Sequence, residues 1–204
     1  VFKEQKEFLI ILGLENVGEL NEANRKGYMS EIIKVSVALQ GKSIARFADI
    51  IKKIYDEGVR LVLIAGPSSS GKTTTRKRLE VQLMTNLLKP VGLSLDDYFV
   101  EREHTPLDEN GEYDFESLYA LDIDLFNQHL EMLLNGEEVL CPAFNFTTGK
   151  REYKGNKLQI NGNSILIVEG IHALNPELTK NIDRSKKFMI YVSALTAISL
   201  DNHN

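Results

Sequence analysis

The fold is decided by the segment Gly66-Pro67-Ser68-Ser69-Ser70-Gly71-Lys72-Thr73, which fits the pattern G-x-x-x-x-G-K-[ST]. It follows a short apolar run, residues 59–65, whose branched side chains are typical of a strand buried on both faces. It precedes residues 72–88, a segment of helix length. A strand, a glycine-rich loop and a helix in this order predict a phosphate-binding loop, whose successive N–H groups point into one concavity.

Each residue type in this loop suits nucleotide binding. The glycines permit backbone conformations that a Cβ would obstruct. Lys72 supplies a positive charge for the β- and γ-phosphates, and the Thr73 hydroxyl is a hard oxygen ligand suited to Mg²⁺. We therefore predict ATP or GTP as the bound triphosphate. The residues predicted to bind it are Gly66, Ser68, Ser69, Ser70, Gly71, Lys72, Thr73 and Thr74.

The segments that follow the loop alternate between strand and helix patterns. Strands are predicted at residues 91–95, 165–168 and 188–192, and a helix at residues 124–134. A β-hairpin is predicted over residues 150–160, with Lys154-Gly155-Asn156 as its loop. This alternation predicts an α/β fold of three layers with a mostly parallel sheet and a β-hairpin insertion.

The residues before the loop have helical patterns. Asn16 is predicted to cap a helix that runs to Arg25, and Gly41 is predicted to end a second helix that begins near Ser30. A third helix is predicted from Ser43 to Gly58. We therefore divide the chain into a helical connector or N-terminal extension, residues 1–58, and a nucleotide-binding core, residues 59–204.

Acidic residues follow two of the predicted strands. In open α/β sheets, ligands gather outside the carboxyl ends of the strands. Asp96 lies there and can accept the proton of an attacking hydroxyl, as phosphoryl transfer to an alcohol requires. Asp97 equally suits the capping of a turn. Glu169 is predicted to meet the metal ion, and Gly170 to permit the close approach of a ligand.

Composition narrows the class of protein. The 24 Lys and Arg residues against 29 Asp and Glu residues give a net charge of −5, which disfavours general binding to nucleic acid or an anionic membrane. No apolar run reaches the roughly 18 residues that span a bilayer. The single Cys141 excludes an internal disulfide and suits a reducing compartment, so we predict a cytoplasmic protein.

Four segments, in order, resemble the phosphoribulokinase/uridine kinase family of P-loop kinases. They are residues 66–73, residues 94–99, residues 142–151 (Pro-Ala-Phe-Asn-Phe-Thr-Thr-Gly-Lys-Arg) and residues 168–171. The similarity covers about residues 59–204 and points to uridine kinases in particular. Residues 1–58 look like the helical connector of bacterial fused uridine kinases, in which a module related to threonyl-tRNA synthetase precedes the kinase.

The resemblance implies a nucleoside kinase of pyrimidine salvage and gives roles to individual residues. Asp96 matches the family's general base on the nucleoside 5′-hydroxyl, and Lys72 joins it as a catalytic residue. Thr73 and Glu169 match the residues that serve Mg²⁺. The residues predicted to bind the acceptor are Tyr98, Asp114, Phe144, Phe146 and Arg151.

Three departures from the family pattern leave alternatives open. Uridine kinases commonly carry Tyr at Phe144 and His at Gly149, and those polar groups read the pyrimidine edge. Another alcohol, such as pantothenate or a sugar phosphate, therefore stays open as the acceptor. Family members also carry an arginine-bearing lid beyond the strand that ends near Val192, so we expect this chain to be cut before its lid and to bind nucleotide better than it turns it over.

A different class of function also stays open. Residues 1–58 would then transmit nucleotide binding to another domain, and the chain would be a sensor without turnover. The partners expected for the enzyme are a nucleoside and a nucleoside triphosphate, with no nucleic acid and no membrane. Further domains are expected in the full-length chain, and a homo-oligomer is left open.

Overall fold

The computed structural model describes residues 2–193 and 198–200, which form two compact units. The first contains residues 2–43 together with residues 198–200, and the second contains residues 44–193. The compact units divide between residues 43 and 44. The domain boundary predicted at residue 58 stays a prediction. Residues 201–204, on which the expectation of a missing lid depends, lie outside the described residues.

The first unit contains α1 (Phe2–Leu12), α2 (Val17–Arg25) and the beginning of α3 (Met29–Asp56). The predicted cap of α2 is confirmed, since the Asn16 side chain accepts a hydrogen bond from the Glu19 N–H at 2.9 Å. The C-terminal residues join this unit through backbone hydrogen bonds. Val17 N–H donates to the Ser199 carbonyl at 3.0 Å, and Ser199 N–H donates to the Glu15 carbonyl at 3.1 Å.

Helix α3 passes through Gly41, so the prediction that this glycine ends a helix is wrong. A glycine inside a helix costs only about 1 kcal/mol relative to alanine. The continuation of α3 buries an apolar face, and each fully buried large apolar side chain contributes about 1.5–3 kcal/mol. That burial outweighs the cost of one glycine. The buried residues of this face are Ile44, Ala48, Ile51 and Tyr55.

The second unit is an α/β fold with a central parallel sheet. Its strands and helices are β1 (Leu61–Ala65), α4 (Lys72–Thr85), β2 (Lys89–Ser94), α5 (Ile123–Leu134), β3 (Val139–Leu140), β4 (Ala143–Asn145), β5 (Lys150–Glu152), β6 (Lys157–Leu158), β7 (Ser164–Glu169) and β8 (Lys187–Tyr191). The central sheet has the strand order β2-β7-β1-β8, and all three pairings are parallel. The predicted fold class is confirmed.

Helices cover both faces of this sheet because successive strand residues point to opposite sides. Leu61 and Leu63 of β1 join a core cluster that includes the apolar residues of α5. Val62 and Ile64 join a second cluster with α4 and the buried part of α3. Because β1, β2 and β7 are parallel, their carboxyl ends lie at one edge of the sheet. Among the described helices, none is both long and apolar enough to cross a membrane.

A β-hairpin is present, but it joins β4 and β5, so the prediction that it spans residues 150–160 is wrong. Strand β5 pairs with β4 instead of β6, and β6 pairs with β3. The turn between β4 and β5 closes because the Asn145 side chain accepts hydrogen bonds from Thr147 N–H and Thr148 N–H. Gly149 completes this turn with a positive φ of 69°, a conformation that favours glycine. The segment predicted as the hairpin loop instead connects two small antiparallel sheets.

Candidate active site

The loop between β1 and α4 has the nest-like shape that phosphate binding requires. Ser69 and Gly71 both have left-handed backbone conformations, with φ of 58° and 90°. Such residues turn successive N–H groups toward one concavity. Lys72 begins α4, and its Nζ donates a hydrogen bond to the Pro67 carbonyl oxygen at 2.8 Å. The loop and its lysine are therefore arranged around one anion-sized space.

Gly66 is required by packing. A Cβ at this position would lie 2.1 Å from the carbonyl oxygen of Val192 and 2.7 Å from the Ser70 hydroxyl. Both distances are shorter than any ordinary contact, so a side chain would push the loop away from the end of β8. Within the described residues, the buried Ser70 hydroxyl has no hydrogen-bond partner. An unpaired buried hydroxyl is costly in free energy.

A cavity of about 580 Å³ opens beside the loop. Six of the eight predicted nucleotide-binding residues contribute to its wall, whereas Gly66 and Ser70 do not. The wall also contains residues from the ends of β2 and β7, as the sheet topology requires. The lining residues are Ser68, Ser69, Gly71, Lys72, Thr73, Thr74, Asp96, Phe99, Phe115, Glu116, Phe146, Glu169 and Ile171.

Glu169 and Thr73 form a direct contact in this wall. The Thr73 hydroxyl donates a hydrogen bond to Glu169 Oε1 at 2.8 Å, and Glu169 itself is only 5% exposed. Because the hydroxyl acts as the hydrogen-bond donor to the carboxylate, the lone pairs of its oxygen stay available. Oxygen atoms of this kind are the ligands that Mg²⁺ prefers. The residues present therefore fit a magnesium ion at this point of the cavity.

Asp96 faces the same cavity from the end of β2. Its surface is exposed, but the concave wall removes much of its water, and this desolvation is the largest cause of a raised pKa. The negative charges of Glu169 and Asp97 also raise the pKa of Asp96, whereas Lys72 lowers it. Ionised Asp96 is therefore a stronger base than a free aspartate. Asp97 is not in the cavity wall.

Tyr98 and Phe144 lie in the core, away from the cavity wall. The Tyr98 ring is fully buried, and its hydroxyl lies 3.0 Å from His129 Nδ1, with which it is hydrogen-bonded. Burial lowers the pKa of His129, which favours the neutral imidazole that accepts this bond. Phe144 is 8% exposed and packs on Phe99, with ring centroids 5.5 Å apart. Neither of these two aromatic residues, which were predicted to bind the acceptor, lines the cavity.

Asp114 and Arg151 are also engaged elsewhere. Asp114 Oδ1 accepts hydrogen bonds from Glu116 N–H at 2.9 Å and Ser117 N–H at 3.1 Å, and so caps its own turn. Arg151 Nη2 donates to Asp122 Oδ2 at 2.9 Å, beside the beginning of α5. Of the five residues predicted to bind the acceptor, the structure brings only Phe146 to the cavity.

Two glycines near the cavity lie close against other side chains. A Cβ on Gly170 would lie 2.6 Å from the Leu95 Cβ, so this glycine accommodates a core side chain. A Cβ on Gly149 would lie 2.7 Å from the Arg102 Cβ. Arg102 thus covers the position at which the resembled family carries histidine, and a histidine would fit there only if Arg102 moved.

Sequence reasoning missed four residues of the wall. Phe99 and Phe115 contact each other, with ring centroids 5.7 Å apart, and Phe99 also contacts Phe146 at 5.9 Å. Glu116 brings a carboxylate to the same side, and Ile171 completes it. Each lies within two residues of a position chosen from the sequence, so the right segments were found. The short turns decide which side chain faces inward, and no pattern in the sequence predicts their conformation.

The comparisons with known proteins agree with this geometry. Residues 61–202 match the model of the Phosphoribulokinase / Uridine kinase family. A uridine kinase of Schizosaccharomyces pombe is 38% identical over 126 residues, which are 61% of this chain and 27% of that protein. A uridine kinase of Brevibacillus brevis is 29% identical over 122 residues, which are 60% of this chain and 55% of that protein.

The chain thus spans about half, or less, of the length of these curated relatives. Among solved structures, a possible uridine kinase from Bacillus stearothermophilus has a similar fold. Its TM-score is 0.54 at 23% identity, over 71% of this chain and 78% of that one. At that level of identity the likeness supports the fold alone.

Proposed function

The chain belongs to the phosphoribulokinase/uridine kinase family, and from that membership we propose that it is a kinase that transfers the γ-phosphoryl group of ATP or GTP to a nucleoside 5′-hydroxyl. The acceptor proposed is uridine or cytidine. One observation carries the proposal: the phosphate-binding loop, Asp96 and Glu169 line a single cavity. A donor site, a base and an acidic metal ligand in one cavity are the components that phosphoryl transfer to an alcohol needs.

The donor half is formed by the loop. Its amides and Lys72 would bind the phosphates, and the Lys72 ammonium would exchange the Pro67 carbonyl for a phosphate oxygen. Thr73 and Glu169 would hold Mg²⁺. When bound, Mg²⁺ neutralises charge on the β- and γ-phosphate oxygens. The cradle of amides is local, which suits an anionic ligand on a protein of net charge −5.

Asp96 would act as the general base. It takes the proton of the acceptor hydroxyl while that oxygen bonds to the γ-phosphorus and the bond to the β–γ bridging oxygen breaks, which releases the nucleoside diphosphate. The raised pKa of Asp96 makes its ionised form a better proton acceptor. The nearby Lys72 cation opposes the raised pKa and helps to keep the carboxylate ionised at neutral pH.

The acceptor half is formed by three phenylalanines and one carboxylate. The rings of Phe99, Phe115 and Phe146 provide an apolar wall on which a planar base would pack. Glu116 would accept hydrogen bonds from hydroxyl groups of the acceptor, whereas the family resemblance implied acceptor binding by Asp114. The backbone carbonyl of Glu116 is fixed by His172 Nε2, which lies 2.8 Å from it.

A screen of phosphoryl acceptors tests the proposal. The full-length protein with Mg·ATP should phosphorylate uridine or cytidine, and Asp96→Asn should lower kcat by about 10²- to 10⁴-fold while ATP affinity is kept. Turnover of pantothenate or a sugar phosphate without nucleoside turnover would replace the proposed acceptor. A response to ATP that Asp96→Asn leaves intact, without any turnover, would favour the sensor. The cytoplasmic location stays a prediction that rests on the single Cys141.

A further inference from the structure

Arg76 is a largely buried cation behind the cavity wall. It lies on α4 one turn after Lys72, and it is not among the lining residues. Its Nε donates a hydrogen bond to Glu169 Oε1 at 3.3 Å, and its Nη1 donates one to Glu80 Oε1. The side chains of Arg76 and Glu169 are only 19% and 6% exposed. The guanidinium therefore bridges the helix of the phosphate-binding loop and the carboxylate at the end of β7.

The sheet leaves a space for this guanidinium. A Cβ on Gly92 would lie 2.1 Å from Arg76 Nη1 and 2.8 Å from Glu80 Oε1. Gly92 lies in the middle of β2, paired with Ile167 of β7, where a side chain would ordinarily pack. A glycine inside a strand often marks a close approach by another group. Here the approaching group is the Arg76 side chain, so its position is built into two secondary-structure elements.

Two donors meet at one oxygen of Glu169. Oε1 accepts a hydrogen bond from the Thr73 hydroxyl at 2.8 Å and another from Arg76 Nε–H at 3.3 Å. Two donors fix the rotation of a carboxylate more firmly than one. Without Arg76, the nearly buried Glu169 would keep only the Thr73 hydroxyl among these partners, and it would lose the opposite charge that offsets its burial.

We propose that Arg76 is a positioning residue of the metal-nucleotide site. It holds Glu169 in the orientation that engages the Thr73 hydroxyl, so that the oxygens serving the metal ion are arranged before the nucleotide binds. This inference rests on the proposed kinase function, because it concerns a nucleotide that binds with Mg²⁺. Outer groups that orient metal ligands in this way commonly change metal affinity by about 10- to 100-fold when they are removed.

The fork of an arginine suits this position better than a lysine. The planar guanidinium donates to Glu169 through Nε and to Glu80 through Nη1 at the same time. A lysine offers a single nitrogen on a flexible stem, and that nitrogen cannot hold both carboxylates in a fixed geometry. Arg76→Lys should therefore keep the charge and lose part of the orientation.

Nucleotide binding with and without metal tests the proposal. ADP affinity of the full-length protein is measured by calorimetry in excess Mg²⁺ and again in EDTA. Arg76→Ala should reduce the Mg²⁺-dependent gain in affinity by about 10- to 100-fold and leave the affinity in EDTA unchanged. Lys77→Ala is the matched control, since Lys77 is an exposed cation on the same helix, and it should change neither value.

Two results would overturn the proposal. In the first, Arg76→Ala leaves the Mg²⁺-dependent gain intact. In the second, affinity falls equally with and without metal, which means that Arg76 supports the loop as a whole. Arg76→Lys and Glu80→Gln should give smaller losses of the same gain, and they decide the question if Arg76→Ala does not fold. Because ADP binding needs no acceptor, a failed nucleoside screen would refute the proposed function and leave this result standing.

Discussion

At the scale of single residues, negative charge is concentrated around Asp96, the residue proposed as the general base. Burial raises the pKa of Asp96, and Glu169 and Asp97 raise it further. Burial also raises the pKa of Asp97, against the Phe144 backbone N–H, which lowers it. The carboxylates of Asp96, Asp97 and Glu169 repel one another, which is an unfavourable arrangement for folding alone. This repulsion costs the folded protein some local stability, and under the proposed mechanism the same repulsion makes Asp96 a better base.

Asp96→Asn should stabilise the protein at neutral pH. Above the raised folded-state pKa, Asp96 is ionised in both the folded and the unfolded chain, and only the folded chain bears the cost of desolvation and repulsion. Asparagine removes that cost. As the pH falls through the folded-state pKa toward the ordinary value of 3.8, Asp96 takes up a proton and the advantage of the variant disappears. Thermal unfolding across this pH range measures it, and a variant that is less stable at pH 7 would contradict it.

Glu116 and Asp114 form a matched pair of carboxylates that separates cavity contact from turn capping. Glu116 lines the cavity, whereas Asp114 Oδ1 caps the turn beside it. We expect Glu116→Gln to raise the KM for the nucleoside by about 5- to 10-fold. The reason is that a charged carboxylate accepts stronger hydrogen bonds from hydroxyl groups than a neutral amide does. Asp114→Asn keeps an oxygen for the turn and should leave that KM unchanged. Steady-state kinetics measures both, and the opposite pattern would restore the assignment to Asp114.

The sequence located the segments that form the cavity wall but not the side chains that face inward. In the turn formed by residues 113–117, Asp114 caps the turn and Glu116, two positions later, lines the cavity wall. Tyr98 shows the same problem, because a short 3-10 turn at residues 95–98 rotates it into the core. Such turns depend on a few local hydrogen bonds, and they carry no periodic pattern from which inward and outward positions follow.

At the scale of elements, the long strands and helices were predicted well, because each contains several apolar positions at regular spacing. The short strands were not. The strands of the central sheet and helix α5 were predicted from apolar runs, whereas the cap of α5 by Asp122, whose side chain accepts the Leu125 N–H, was not predicted. The two-residue strands β3 and β6 leave too little pattern to reveal their partners. Gly41 resembles a helix end, but a single glycine does not outweigh the burial that continues α3.

Gly170→Ala tests whether the glycine after β7 serves packing or a ligand. The new methyl group would lie 2.6 Å from the Leu95 Cβ, inside the core, so we expect a loss of stability of about 1–3 kcal/mol. ADP affinity of the folded variant should change little. Urea unfolding and calorimetry measure the two effects, with Gly155→Ala as a control whose Cβ meets nothing within 4 Å but whose φ of 80° disfavours alanine. A large loss of affinity with normal stability would indicate a ligand contact at Gly170.

At the scale of the whole molecule, the parallel sheet explains why distant residues share one cavity. The loop follows β1, Asp96 follows β2 and Glu169 ends β7, and these three strands are neighbours in the order β2-β7-β1. The sequence predicts that parallel strand ends meet at one edge of the sheet. It does not give the order of the strands, which places Glu169 between the loop and Asp96.

Every residue of the cavity wall lies between positions 68 and 171, within the second compact unit. A ligand that binds only the folded form stabilises it by about 2.7 kcal/mol at a hundred times its Kd. If the protein is an enzyme whose nucleotide site is confined to this unit, Mg·ADP should slow amide hydrogen exchange around residues 66–76 and 164–171 and leave α1 and α2 unchanged. Hydrogen exchange read by mass spectrometry compares these peptides in one experiment, with EDTA as the control. Slower exchange in α1 and α2 as well would show that nucleotide binding is transmitted to the helices, which is the behaviour required of a sensor and not of a kinase core alone.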